Sequence, residues 1–170
     1  MNSKDKIQTI KELANELQFG KPFGKPITLA ETHEMESRLN VEFPPELREF
    51  LQTFGSLRVK RMEVDGYTIV QETLDLRENY PDTFPHNLVV VEGDGYGNYY
   101  CVVCDGKDYG KVIFWQHDAP LEGIYPKYPE GKPNFWIEGP DFWTWLLEEL
   151  QRIKKIEDEE KQHEKEKVKE

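Results

Sequence analysis

Two stretches of this chain hold residue types that do chemistry, at spacings that invite a test. Cys101-Val102-Val103-Cys104 has the C-x-x-C spacing of a metal-binding pair. The two intervening valines favour a strand, where residues three apart point to opposite faces. Tetrahedral zinc would also need two more ligands. There is no second C-x-x-C, and His86 and His117 would have to be recruited by the fold. The expectation is two half-buried thiols and no metal site.

The second stretch is Glu92-Gly93-Asp94-Gly95-Tyr96-Gly97-Asn98. A calcium loop would need the D-x-[DN]-x-[DN]-G register and a closing Glu, where Val103 stands. A phosphate cradle would need G-x-x-x-x-G-K-[ST], which is absent. What remains is a tight turn whose glycines take positive φ. On such a support Glu92, Asp94, Tyr96 and Asn98 are candidate partner-contact residues. No G-x-S-x-G is present, and Ser3, Ser37 and Ser56 fall in a terminus, a helix and a helix-to-strand junction. No catalytic residue and no cofactor are expected. Of the four tryptophans, Trp115 is a candidate interface anchor, a role that suits aromatics in an acidic chain. Trp143 and Trp145 cannot share one face of a helix, so one should pack and the other should meet a loop or solvent.

Charge narrows the partner. The chain has 170 residues and a net charge of -11, and its last twenty residues carry seven groups of each sign. The whole excess therefore lies in residues 1–150. Such a body repels phosphate backbones and anionic headgroups, which disfavours nucleic acid and membrane surfaces and favours a basic protein partner. The N-terminus lacks the apolar run of a signal peptide, and no stretch approaches the roughly 18 apolar residues of a membrane span. With only two cysteines, a cytoplasmic setting is expected.

These residues must be positioned by a scaffold, and the pattern predicts one. Ile7, Ile10, Leu13 and Leu17 recur at helical spacing up to Gly20. Thr28 and Glu31 have capping-box spacing, and the helix they open should end at Asn40, a residue that visits the left-handed region. Pro44-Pro45 opens a further helix with Leu47, Phe50, Leu51 and Phe54 on one face and Gly55 as its stop. The period then changes. Leu57 to Val64 and Tyr67 to Val70 flank Asp65-Gly66, which predicts a hairpin with a two-residue turn. A short helix at Thr73 to Asn79 and a loop from Pro81 to Pro85 come next. Leu88–Val91, Tyr99–Cys104 and Lys111–Trp115 read as strands. Trp115 to Gly139 reads as a long loop or short strands. Phe142, Leu146, Leu150 and Ile153 form the stripe of a last helix. The folded domain is expected over 1–156, with 157–170 a solvated helix extension or a disordered tail. Helices, then strands, then a helix describe an α+β fold.

The run from Met35 to Leu51, closed by Gly55, resembles the signature of the SUKH superfamily. That signature has an apolar-Glu pair, Leu-Gly, a short link, an apolar-Pro pair, and a helix carrying Phe-Leu. Val89-Val90-Val91, the Gly93–Asn98 turn and Phe142-x-x-Trp145-Leu146 succeed it in the same order, covering about residues 27–150. Asn40 stands for the usual Gly and Phe43 for a common Leu, while Cys104 falls where many relatives have an Asp-rich strand end. The resemblance implies a mixed or mainly antiparallel sheet wrapped by helices. It also implies an immunity-type protein that binds a cognate bacterial toxin, rather than an enzyme. The competing expectations are a regulatory scaffold of the cell-wall-regulator kind and a metal-dependent hydrolase using the Glu92–Asn98 turn.

Overall fold

The computed structural model describes residues 1–117 and 135–169. Helix α1 (Ser3–Glu16) starts where the Asn2 side chain accepts the Asp5 amide and buries Ile10 and Ala14. Helix α2 (Leu29–Leu39) has the complete capping box: Glu31 N donates to Thr28 Oγ1, and Thr28 N donates to Glu31. It stops at Asn40 in the left-handed conformation, φ 52°. Helix α3 (Pro45–Thr53) begins at Pro45, where a missing N–H removes no helical bond. Glu36 ties these pieces together from a buried position. Its carboxylate accepts Phe43 N at 2.7 Å and an Arg48 guanidinium N–H at 2.6 Å, linking α2, the extended segment and α3.

The hairpin forms one step earlier than the Asp65-Gly66 pair predicts. Strands β1 (Ser56–Val59) and β2 (Met62–Asp65) pair antiparallel, and Lys60-Arg61 makes the turn with Arg61 at φ 64°. Asp65 instead caps α4 (Gly66–Asn79) by accepting Tyr67 N, so the expected strand Tyr67–Val70 is helical. The expected helix at Thr73–Asn79 is the second half of this element. Gly66 is needed for close approach: a Cβ there would lie 2.5 Å from Gly55 O and 2.7 Å from Leu51 Cδ2. Ile69, Thr73 and Leu76 supply the buried helical stripe.

Strands β3 (Leu88–Gly93), β4 (Tyr99–Val103), β5 (Val112–Trp115) and β6 (Phe135–Gly139) form one antiparallel sheet in that order. Its β3 edge is covered by α4, where Val90 N donates to the buried Thr73 Oγ1 at 3.0 Å, so that N–H is not left open for pairing. Val89, Val91, Val102, Cys104 and Val112 face the larger core with the N-terminal helices and the last helix. Leu88, Val90, Cys101, Val103, Ile113 and Trp115 face a smaller core closed by Leu76 and Phe84.

Helix α5 (Phe142–Lys167) is capped by Asp141, which accepts the Thr144 amide. Its first turns are sandwiched, which corrects the expectation for the tryptophans: both are 1% exposed. Trp143 meets α3, with its ring 6.1 Å from Phe50 and its Nε1 donating to Glu49. Trp145 meets the sheet, 5.4 Å from the Tyr100 ring. A helix with neighbours on two sides buries residues that cannot share a face. Among the described residues, no helix is long and apolar enough to cross a membrane.

Candidate partner-binding surface

The β3–β4 connection is held from within. Asp94 N donates to Asn98 O, and Asp94 Oδ1 accepts both Tyr96 N (2.7 Å) and Asn98 N (3.1 Å). Asp94 Oδ2 accepts Asn98 Nδ2 at 2.8 Å. Gly95 and Gly97 take φ 83° and 88°, the left-handed values that a side chain would resist. Asn98 Oδ1 then accepts His117 N, and His117 Nδ1 lies 2.9 Å away, a contact that needs a hydrogen on Nδ1. Asp94 and Asn98 thus organise the turn and are half-buried; they are not free contact groups. Tyr96, at the apex, is 84% exposed.

Glu92 sits elsewhere. Along Leu88–Val91 the side chains alternate between the two cores, and alternation would send Glu92 to the smaller one. A bulge between Val90 and Glu92 shifts the register so that Glu92 pairs with Tyr100 and shares its face, towards α5. The half-buried carboxylate lines a groove of about 460 Å³ between β2, the start of α4 and the end of β3. Val59, Met62 and Val91 contribute apolar wall there, and Phe19, Arg58, Glu63 and Glu72 are among the other lining residues. Burial is the main cause that pushes the Glu92 carboxyl up to about 8, with Glu149 adding to it; the Glu63 backbone and Arg152 oppose it. Burial and Glu149 also push the Tyr100 phenol up to about 12.

Trp115 is a correction. It is 0% exposed, between Tyr80 (5.2 Å) and Phe84 (5.1 Å), and its Nε1 donates to Thr83 O. Its β5 position points inward, so it fills the smaller core and offers nothing to a partner. The two cysteines lie in opposite cores, as strand geometry dictates, and are fully rather than half buried. Burial raises both thiols, against the thiolate a metal would need. Among the described residues no group of three or more His, Cys, Asp or Glu gathers around a common point. Of the stretch between Trp115 and Gly139, expected as a long loop or short strands, Phe135–Gly139 form strand β6 and residues 118–134 lie outside the described residues.

Sequence reasoning missed the groove. Phe19 is 56% exposed beyond α1, with the Arg58 guanidinium 5.2 Å over its ring, and Glu72 stands on what reads as a strand-to-helix junction. The available signal was the apolar Phe19 beside Gly20, in a segment otherwise read as a helix stop. No curated protein matches the chain. A family model, however, aligns with residues 26–148, the span that holds the Glu36 clasp, the sheet and the Tyr96 turn. The chain belongs to the SMI1/KNR4 family (SUKH-1).

Proposed function

We propose that this protein is an immunity-type binder that neutralises a cognate bacterial toxin domain through the Tyr96 turn and the adjoining groove. The observation that carries the reading is Tyr96 itself: an aromatic ring 84% exposed on a turn whose polar side chains are already engaged. A support fixed by its own hydrogen bonds loses little freedom when a partner docks, so ring burial is not offset by ordering the loop. Family membership and the charge of -11 support the same reading, and point to a basic protein surface rather than nucleic acid or membrane. The reading carries with it a cytoplasmic setting, no cofactor and no enzymatic turnover.

The test is a titration of the full chain against the toxin domain encoded beside its own gene, at two salt concentrations. Tyr96→Ala should weaken binding by more than about tenfold, equivalent to about 1.4 kcal/mol, with an unchanged circular dichroism spectrum. Absence of any complex with that domain would overturn the immunity reading. Unchanged affinity in the variant would remove the turn from the interface.

A further inference from the structure

We infer that the groove between β2 and β3 is a subsite for one arginine side chain of the protein partner. The inference rests on the binding role proposed above and identifies the chemistry that role recognises.

Its basis is the state of the charges around the groove. The two lining cations already have partners: Arg61 donates to Glu157 and Glu160, while Arg58 lies 3.6 Å from Glu63 and over the Phe19 ring. Asp65 is committed to the Tyr67 amide. Glu92 and Glu72 are left, and neither has a cation within ion-pair distance among the described residues. Arg152, whose charge acts on Glu92, is held by Glu149 at 2.7 Å. The charges that act on Glu72 among the described residues are like ones, from Asp65, Asp75 and Glu63.

Shape selects the cation. The apolar lining from Val59, Met62 and Val91 suits a three-carbon stem, and the Glu92 carboxylate in the same groove suits a planar head that donates two parallel hydrogen bonds. The groove already stacks one guanidinium on an aromatic ring, Arg58 on Phe19. The neutral form that burial favours for Glu92 would give up its proton as the guanidinium arrives. Binding should therefore tighten as pH rises through about 8. Facing this carboxyl are the Glu63 backbone from β2, Tyr100 from β4, and Glu149 and Arg152 from α5, with Glu72 of α4 lining the same groove.

The probe is N-acetyl-arginine methylamide, with the uncharged citrulline analogue as control, added to the isotope-labelled full chain at pH 8.5. Saturable amide shifts at Met62, Glu63, Glu92 and Gly93 are expected with arginine alone. They should weaken at least about tenfold in Glu92→Gln, whose amide keeps the shape without the charge. Equal shifts with citrulline, or equal binding by Glu92→Gln, would overturn the subsite. The probe arm needs no toxin, so a failed toxin titration falls on the immunity reading alone. A toxin domain that binds wild type and Glu92→Gln equally well would overturn only the assignment of the groove to the partner.

Discussion

Glu157, late in α5, accepts hydrogen bonds from Arg61 Nε at 2.9 Å and Lys60 Nζ at 3.1 Å, fastening the last helix to the apex of the β1–β2 turn. Glu160 adds Arg61 at 2.7 Å. These contacts hold Arg61 in a left-handed conformation that few residues other than glycine adopt. They lower the Glu157 carboxyl below its usual range, first through Arg61 and then Lys60. Apolar periodicity on α5 stops near Ile156, so beyond that residue the helix is tied to the body by this clasp rather than by apolar packing. Truncation after Glu160 should leave the melting temperature unchanged, whereas truncation after Ile156 should lower it by a few degrees. Equal melting curves for the two truncations would show that the clasp adds nothing to stability.

Glu92 sets a pH dependence of the opposite sign. Its carboxyl titrates near 4.5 in the unfolded chain and about 8 in the fold. The native state therefore binds the extra proton, and this contribution to stability is complete below about 4.5 and is lost as pH rises through about 8. At about 1.4 kcal/mol per unit the change is on the order of a few kcal/mol. Glu92→Gln, which carries no proton to lose, should flatten this loss in denaturant titrations between pH 5 and 9. An identical pH slope in wild type and variant would mean that the carboxyl is solvated in the native state.

Phe50 and Pro45 lie five residues apart on α3 and do different work. Phe50 is 0% exposed, with Phe142 at 5.2 Å, Phe54 at 5.9 Å and Trp143 at 6.1 Å. Phe50→Ala should cost about 3–5 kcal/mol, because the surrounding rings cannot all close on the cavity. Pro45 only preorganises the helix start, so Pro45→Ala should stay within about 1 kcal/mol. Denaturation midpoints that coincide would contradict a core built around the Phe50 ring.

Much of this scaffold is legible in the sequence because local chemistry and tertiary packing agree there. The Thr28–Glu31 box, Asn40, Pro45 and the valine run of β3 each act within a few residues. Asp65-Gly66 misleads because the same dipeptide serves a hairpin turn or a helix start, and the choice is made by Ile27, Leu51 and Gly55 crowding the Gly66 Cα. Glu92 misleads because one extra residue in β3 reverses which face it occupies, and a bulge leaves no mark in a run of valines. Trp115 misleads because an aromatic reads alike in a core and at an interface until its neighbours are known.

Asp94 separates the architecture of the candidate surface from its contacts. Its two oxygens hold three donors within the turn, so its charge is directed inward and Tyr96 is what faces outward. Asp94→Ala removes all three bonds and should loosen the loop, at about 1–2 kcal/mol of stability. Asp94→Asn should be milder, since its amide oxygen can still accept the Tyr96 and Asn98 amides. Its NH2 group, however, would meet Asn98 Nδ2 across the remaining bond. Asn98 cannot turn to relieve that conflict without releasing His117 from its Oδ1. Hydrogen exchange at Tyr96 and Asn98 should therefore quicken in the order wild type, Asn variant, Ala variant. Under the proposed binding role, affinity for the toxin domain should fall in the same order, while Tyr96→Ala loses affinity with its exchange rates unchanged. Equal affinity losses with wild-type exchange in both Asp94 variants would make Asp94 a direct contact, and the turn would then bind through its charge.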